Sequence, residues 1–236
     1  FATNNFSSVH DTLIDTPTNN FCVFNQLNRT NDASLTDGNL IMVQSSNDES
    51  VAGTFPIFSG KWYYEVYKKS TENGEFGIDS VYRNLSNSTD IHSNTKVCFR
   101  SNGGDQTNGA GSAITLTGSS SGQTGAGWLR IACDMDNKKI WFSDLSGNYF
   151  NSGNPATGAN PAYDFSSHEV ATGWAPYICL TTANDANGYV NFGQFDLNSF
   201  SSNIPAGFKT LTSKNLRDEL LTTSPIVNPK EHFAAI

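Results

Sequence analysis

The 236-residue chain sets 22 acidic against 14 basic residues, a formal charge of −8, and only 15% of it is charged. A basic footprint for nucleic acid is missing, and no apolar run of about 18 residues is present to cross a bilayer as a helix. Aromatic residues reach 12%, which sets the chain apart from disordered sequences of high net charge and few aromatics; the length suits one large sandwich or two small domains.

Residues 1–34 read as polar and turn-rich. Strands are expected at Leu40–Val43, Thr54–Phe58 and Trp62–Tyr67, then a short buried one at Glu75–Ile78, where Gly77 signals close packing. Residues 79–95 read as a polar loop and Lys96–Arg100 as a strand. Residues 101–127, dense in Gly, Ser, Thr and Asn, read as loop with room for one short strand at Ile114 and Leu116. The clearest element is 128–143. Leu129, Ile131 and Cys133 alternate on one face, Ile140 and Phe142 follow in phase, and the turn Asp134–Lys138 separates them: a β-hairpin closed by a type I turn with a bulge. An insertion rich in Gly, Asn and Pro runs from Asp144 to Gly173. Trp174–Leu180 and Tyr189–Phe192 complete the strands, joined through Asn184–Gly188.

Helical periodicity does not persist before residue 212, where Asn215–Leu221 offers two turns stopped by Pro225 and Pro229. About ten short strands between polar turns predict an all-β fold, a two-sheet antiparallel β-sandwich with long loops. Residues 1–211 are expected to form it, with 212–236 a strap or linker to another module. The chain opens on Phe1 and not Met, so its true start is expected to have been removed or to lie upstream, and a signal peptide is neither indicated nor excluded.

Cys22, Cys98, Cys133 and Cys179 form no C-x-x-C pair, which removes zinc-ribbon and redox readings. Three lie in apolar runs and are expected to be buried free thiols, one disulfide being the alternative. No Glu-x-Asp-x-x-Glu strand sets paired carboxylates on one face; Glu65 stands alone, and Glu72 and Glu75 flank a turn. Asp134, Asp136 and Asn137 offer too few oxygens for a hard cation and suit turn chemistry better. His10, His92, His168 and His232 are isolated from one another. Neither catalytic nor metal-binding residues are therefore expected, nor a cofactor. Trp62, Tyr64, Trp141 and Trp174 invite a sugar-stacking reading, but at least Trp62 and Trp174 are expected in the core. Binding is expected at the loop edge, from Tyr82, Arg83 and Asn84 in one loop and Arg100, Asn102 and Asp105 in another, because these residues offer flat or forked donors to a polar ligand.

Four segments carry a resemblance. Gly60-Lys-Trp-Tyr-Tyr-Glu-Val66, Gly127 through Asn137, Trp174-Ala-Pro-Tyr177 and Asn191-Phe192-Gly193 occur in the order of the signature strands of a SPRY domain, a concanavalin-like sandwich, over residues 55–210. Cys133-Asp134 stands where Leu-Asp is usual. The flanks resemble segments bordering SPRY-like domains in bacteriophage virion proteins: Asp11-Thr-Leu-Ile-Asp-Thr-Pro-Thr-Asn19 with Phe21-Cys-Val-Phe-Asn25, and Pro205-Ala-Gly-Phe-Lys-Thr-Leu211 with Asn215-Leu216. Arg217 takes the place of a usual Pro. The resemblance implies a noncatalytic binding or structural module of a tail fibre, appendage or capsid decoration. Such a module would be located in the virion, contact neighbouring virion proteins or a host-surface glycan or protein, and form homo-oligomers there, without nucleic acid or membrane insertion. An intracellular SPRY adaptor gripping a peptide is the alternative, and a glycan-active enzyme a third.

Overall fold

Side chains alternate across a strand, so a strand with one apolar face must press it against another sheet. In the computed structural model two antiparallel sheets meet in this way. It describes residues 15–46, 48–69, 74–81, 83–85, 96–101, 105–108, 112–115, 123, 125–166, 173–181, 187–195 and 199–223.

The first sheet is ordered β1 (Phe24–Arg29), β4 (Glu49–Gly53), β13 (Trp174–Leu180), β6 (Gly74–Ser80), β7 (Val97–Arg100), β8 (Asp105–Asn108) and β9 (Ser112–Thr115). The second is ordered β12 (Tyr163–Asp164), β11 (Lys139–Phe142), β10 (Gly127–Asp134), β5 (Lys61–Lys68), β14 (Asn187–Asn191), β3 (Ile41–Val43) and β2 (Ser34–Thr36). A further strand, β15 (Lys209–Thr210), runs parallel to the start of β5. Among the described residues α-helix is confined to α1 (Phe200–Asn203) and α2 (Ser213–Thr223).

The expected all-β sandwich is thus the fold. The 128–143 hairpin pairs Ile131 with Phe142 and Cys133 with Ile140. Leu129, Ile131, Ile140 and Phe142 are all buried, as are Trp62 and Trp174. The core fills from both sheets: Trp62, Tyr64 and Val66 of β5 face Phe76 and Ile78 of β6 and Ile178 and Leu180 of β13. Each such apolar side chain contributes about 1.5–3 kcal/mol on burial. The Tyr64 hydroxyl crosses the core to donate to the Gly77 carbonyl, tying the sheets together. Gly77 itself faces outward, where a Cβ would lie 2.2 Å from the Val97 carbonyl oxygen, so the close packing read from sequence is real. All four cysteines are free and buried. Burial raises the Cys22 thiol to about 11 and that of Cys179 to about 12.

Several elements differ from expectation. Phe24–Arg29 and Ser34–Thr36 form β1 and β2, and β4 forms at Glu49–Gly53, where Glu49 and Ser50 interrupt the apolar pattern. Of Thr54–Phe58 only Ile57 bridges, to Trp174. The stretch 101–127 holds the β8–β9 hairpin and the start of β10, not one short strand; Ile114 lies in β9, while Leu116 lies outside the described residues. The helix begins at Ser213 because Thr212 caps it, its hydroxyl accepting from the Asn215 amide at 3.2 Å.

Candidate functional site

The outward residues of the second sheet form three cross-strand rows. In β5, β10 and β14 the core-facing positions are Val66, Leu129 and Val190. Tyr67, Trp128 and Tyr189 sit one residue out of phase with these and so face away from the core. Register then lines them up: Ile41 opposes Tyr189, Tyr189 opposes Tyr67, and Tyr67 opposes Trp128. Tyr67 meets Trp128 at 5.4 Å between ring centroids and 65°, and Tyr189 at 5.6 Å and 90°. The three rings are half-buried. Edge-to-face pairs of this kind contribute about 0.5–1.5 kcal/mol each, and they leave a notch instead of a flat platform. Leu40, Ile41, Val190, Asn191 and Phe195 complete a cavity of about 200 Å³.

The second row is polar: Asn191, Glu65 and Arg130 oppose one another in register. Glu65 is fully buried and accepts from the Tyr63 hydroxyl at 2.5 Å and from Asn203 Nδ2 at 3.0 Å, with Arg130 Nε 3.9 Å away. Burial first, and the Glu65 charge second, push the Tyr63 hydroxyl far above its ordinary range, so it stays protonated. In the third row, Tyr63, Ala132 and Trp141 lie beneath Phe200 and Phe208. The segment 199–212 therefore covers this row and, among the described residues, leaves the aromatic row half-buried.

Asn191 shapes one wall of the notch. Its Oδ1 accepts from the amides of Gly193 at 2.9 Å and Phe195 at 3.4 Å, and its Nδ2 donates to the Phe195 carbonyl at 2.7 Å. These bonds use the amide internally, so the wall that Asn191 lines presents few polar groups to a guest.

The loop residues expected to bind are distributed differently. Tyr82 and Asn102 lie outside the described residues, and Asp105 starts β8. Asn84 is exposed. Arg100 ends strand β7 and does not open a loop; its Nε lies 3.9 Å from Glu75 Oε1. Arg83 donates from Nη1 to Asp79 at 2.6 Å and lies 5.7 Å from the centre of the Tyr177 ring. The structure thus gathers Arg83 and Arg100 on the outer face of the first sheet, where both guanidinium groups are directed at buried carboxylates. Glu75 also pairs there with Lys96, and neither is accessible to solvent.

Asp134 and Asp136 serve the turn and its surroundings. Asp134 accepts from the Asn137 amide at 3.0 Å and from Asn137 Nδ2 at 2.8 Å, and Asp136 accepts from the Gly60 amide at 2.8 Å. Burial opposes charge on Asp134, but the Asn137 bonds and Lys61, 3.2 Å away, outweigh it and hold the carboxyl below its ordinary range.

No family model matches the sequence, and no curated protein does. Among solved structures the chain is similar to the SPRY domain of human HERC1. The TM-score is 0.54 at 15% identity, over 71% of this chain and 96% of that one. The sandwich has a SPRY-like fold. At this identity the likeness speaks for architecture alone; of the signature segments named from sequence, three fall in β5, β10 with its turn and β13, while Asn191-Phe192-Gly193 is the last residue of β14 and the turn after it.

The aromatic row was not singled out in the sequence, yet a signal was there. Tyr67, Trp128 and Tyr189 each adjoin a core-facing aliphatic residue, and each therefore falls in the outward phase. Which other strands stand beside them, and whether a segment covers them, depends on topology.

Proposed function

We propose that the chain is a noncatalytic recognition module of a bacteriophage virion, and that its recognition surface is the notch between Trp128, Tyr67 and Tyr189. The guest is an apolar side chain of a partner protein, from a neighbouring virion subunit or the host surface. The observation that carries this reading is the pair of ring angles, 65° and 90°. Sugar rings stack on flat aromatic faces; a notch between crossed rings, walled by Leu40, Ile41 and Val190, suits an inserted aliphatic or aromatic side chain. Trp and Tyr are the residues on which interface energy concentrates. The virion setting is supported by the flanking segments that resemble those of phage proteins. The noncatalytic reading is supported by Glu65 and Glu75, which face internal partners.

The test is binding of labelled chain to intact host cells and to phage particles. A Trp128→Ala, Tyr189→Ala double variant is compared with an Arg83→Ala, Arg100→Ala double variant and with wild type, folding being checked by circular dichroism. Loss of binding in the first and its retention in a folded second variant is the expected result. The reverse pattern moves the recognition surface to the loop edge, and binding by neither wild type nor variants overturns the virion reading.

A further inference from the structure

The two arms that border the sandwich clasp each other, with Cys22 and Leu211 buried in its core. Phe21 bridges Thr212, the Cys22 amide donates to the Leu211 carbonyl at 2.9 Å, and Asn20 and Ser213 exchange two bonds, at 2.9 and 2.8 Å. Asn19 Oδ1 accepts from the Lys214 amide at 3.2 Å, which joins the clasp to the first turn of α2.

One short turn connects this clasp to the notch. In residues 191–195, Gln194 Oε1 accepts from the Phe192 amide at 2.8 Å, while its Nε2 donates to the Cys22 carbonyl at 2.6 Å. Gly193 has φ +110°, and a Cβ there would lie 2.8 Å from Thr210 Cγ2 and 3.2 Å from Phe21 Cε1. The turn is therefore wedged between the two arms. Its far end, through the Asn191 bonds, fixes Phe195 in the notch wall. Asn191 and Gln194 are both buried, so their bonds have no water to replace them.

We propose that the arm clasp controls the notch, with Gln194 as the positioning residue that transmits its state. The inference rests on the reading of the notch as the recognition surface. With the arms clasped, Cys22 holds Gln194, the turn is fixed and Phe195 forms its wall. With the arms apart, the turn loses its outer support and the notch loses its shape. Coupling of this kind is reciprocal: a guest in the notch tightens the clasp to the same degree that the clasp favours the guest. Load on either arm, or its rearrangement, would thereby set the affinity of the notch.

The probe is N-acetyl-L-phenylalaninamide, titrated into the full chain labelled with 5-fluorotryptophan, the Trp128 signal being assigned with Trp128→Phe. Hydrogen exchange at the Cys22 and Ser213 amides is measured with and without probe. In wild type the probe is expected to shift the Trp128 signal and slow exchange at both amides. Gln194→Leu is expected to weaken probe binding at least threefold and to abolish the slowing, while Trp128→Ala removes binding. Should Gln194→Leu fail to fold, Asn19→Ala with Ser213→Ala loosens the clasp from the exposed side and is expected to weaken binding in the same direction. A Trp128 response without slower exchange, or unchanged affinity and slowing in the folded variants, overturns the coupling and leaves the notch reading intact. Absence of any Trp128 response in wild type overturns the notch reading and the coupling with it.

Discussion

The two outer faces of the sandwich differ in what they leave open: both hold buried ionic groups, but only the second carries a row of half-buried rings. On the first sheet, Val81 and Leu85 pack on Ala52, Cys98, Ala175, Tyr177 and Cys179, and beside them lie two buried ion pairs, Glu75 with Lys96 and Asp79 with Arg83, Tyr177 being close to both cations. On the second sheet, the covering segment stops at Phe200 and Phe208 and leaves Tyr67, Trp128 and Tyr189 half-open. A charge that is buried and paired is already committed to a partner inside the protein, whereas a half-open ring keeps one side for a guest. Residue type alone would rank these faces the other way round, with arginines as the binders and aromatics as the core.

The largest effect is expected on the first face. Glu75→Ala leaves Lys96 buried without its carboxylate and should lower stability by about 3–5 kcal/mol, read from urea denaturation. Replacing the pair together, Glu75→Leu with Lys96→Met, should recover most of that loss, since an apolar pair of similar volume avoids the desolvation of both ions. A loss under about 1 kcal/mol in the single variant would mean that Lys96 reaches water and that the contrast between the faces is weaker than described.

A smaller stability effect is expected on the second face. Trp128→Ala removes one edge-to-face partner of Tyr67 and should reduce stability by about 1 kcal/mol, yet it should eliminate recognition. A loss as large as that of Glu75→Ala would place Trp128 in the core and remove it as a binding residue.

The smallest effect is electrostatic and local to the β10–β11 turn. The Asp134 carboxyl lies below its ordinary value of 3.8 in the folded chain. A depressed carboxyl contributes stability in full above the unfolded value, and that contribution is lost as pH falls through the lower folded value. Acid titration of the thermal midpoint should therefore drop below pH 3.8 in wild type and drop less in Asp134→Asn. Parallel curves would show that the Asn137 and Lys61 contacts do not discriminate between the two protonation states.

Alternation made most of the inner faces legible. Leu129, Ile131, Ile140 and Phe142 went to the core because period 2 leaves no other placement once one of them is buried. Trp174–Leu180 was bounded in sequence as it is in the structure. β4 escaped because it opens on two buried polar residues, Glu49, which accepts from Ser45 and Ser46, and Ser50, which meets the distant Tyr177 hydroxyl at 2.9 Å, so no apolar alternation marks its start. The site was less legible than the fold. Arg83 and Arg100 have the chemistry of ligand contacts, and only the three-dimensional placement of Asp79 and Glu75 shows where their donors are directed. Trp128 becomes a site residue through Tyr67 and Tyr189, some sixty residues away on either side; the flanking arms acquire a connection to it only when Cys22 meets Gln194.

The central claim, that the open aromatic row takes an apolar side chain, is tested most directly by a paired titration of the fluorotryptophan-labelled chain. N-acetyl-L-phenylalaninamide and methyl β-glucoside are added separately while the Trp128 signal is followed. The account predicts a saturable shift with the amide, abolished by Tyr189→Ala, and none with the glucoside. A saturable shift with the glucoside alone would contradict it and make the row a sugar-stacking site.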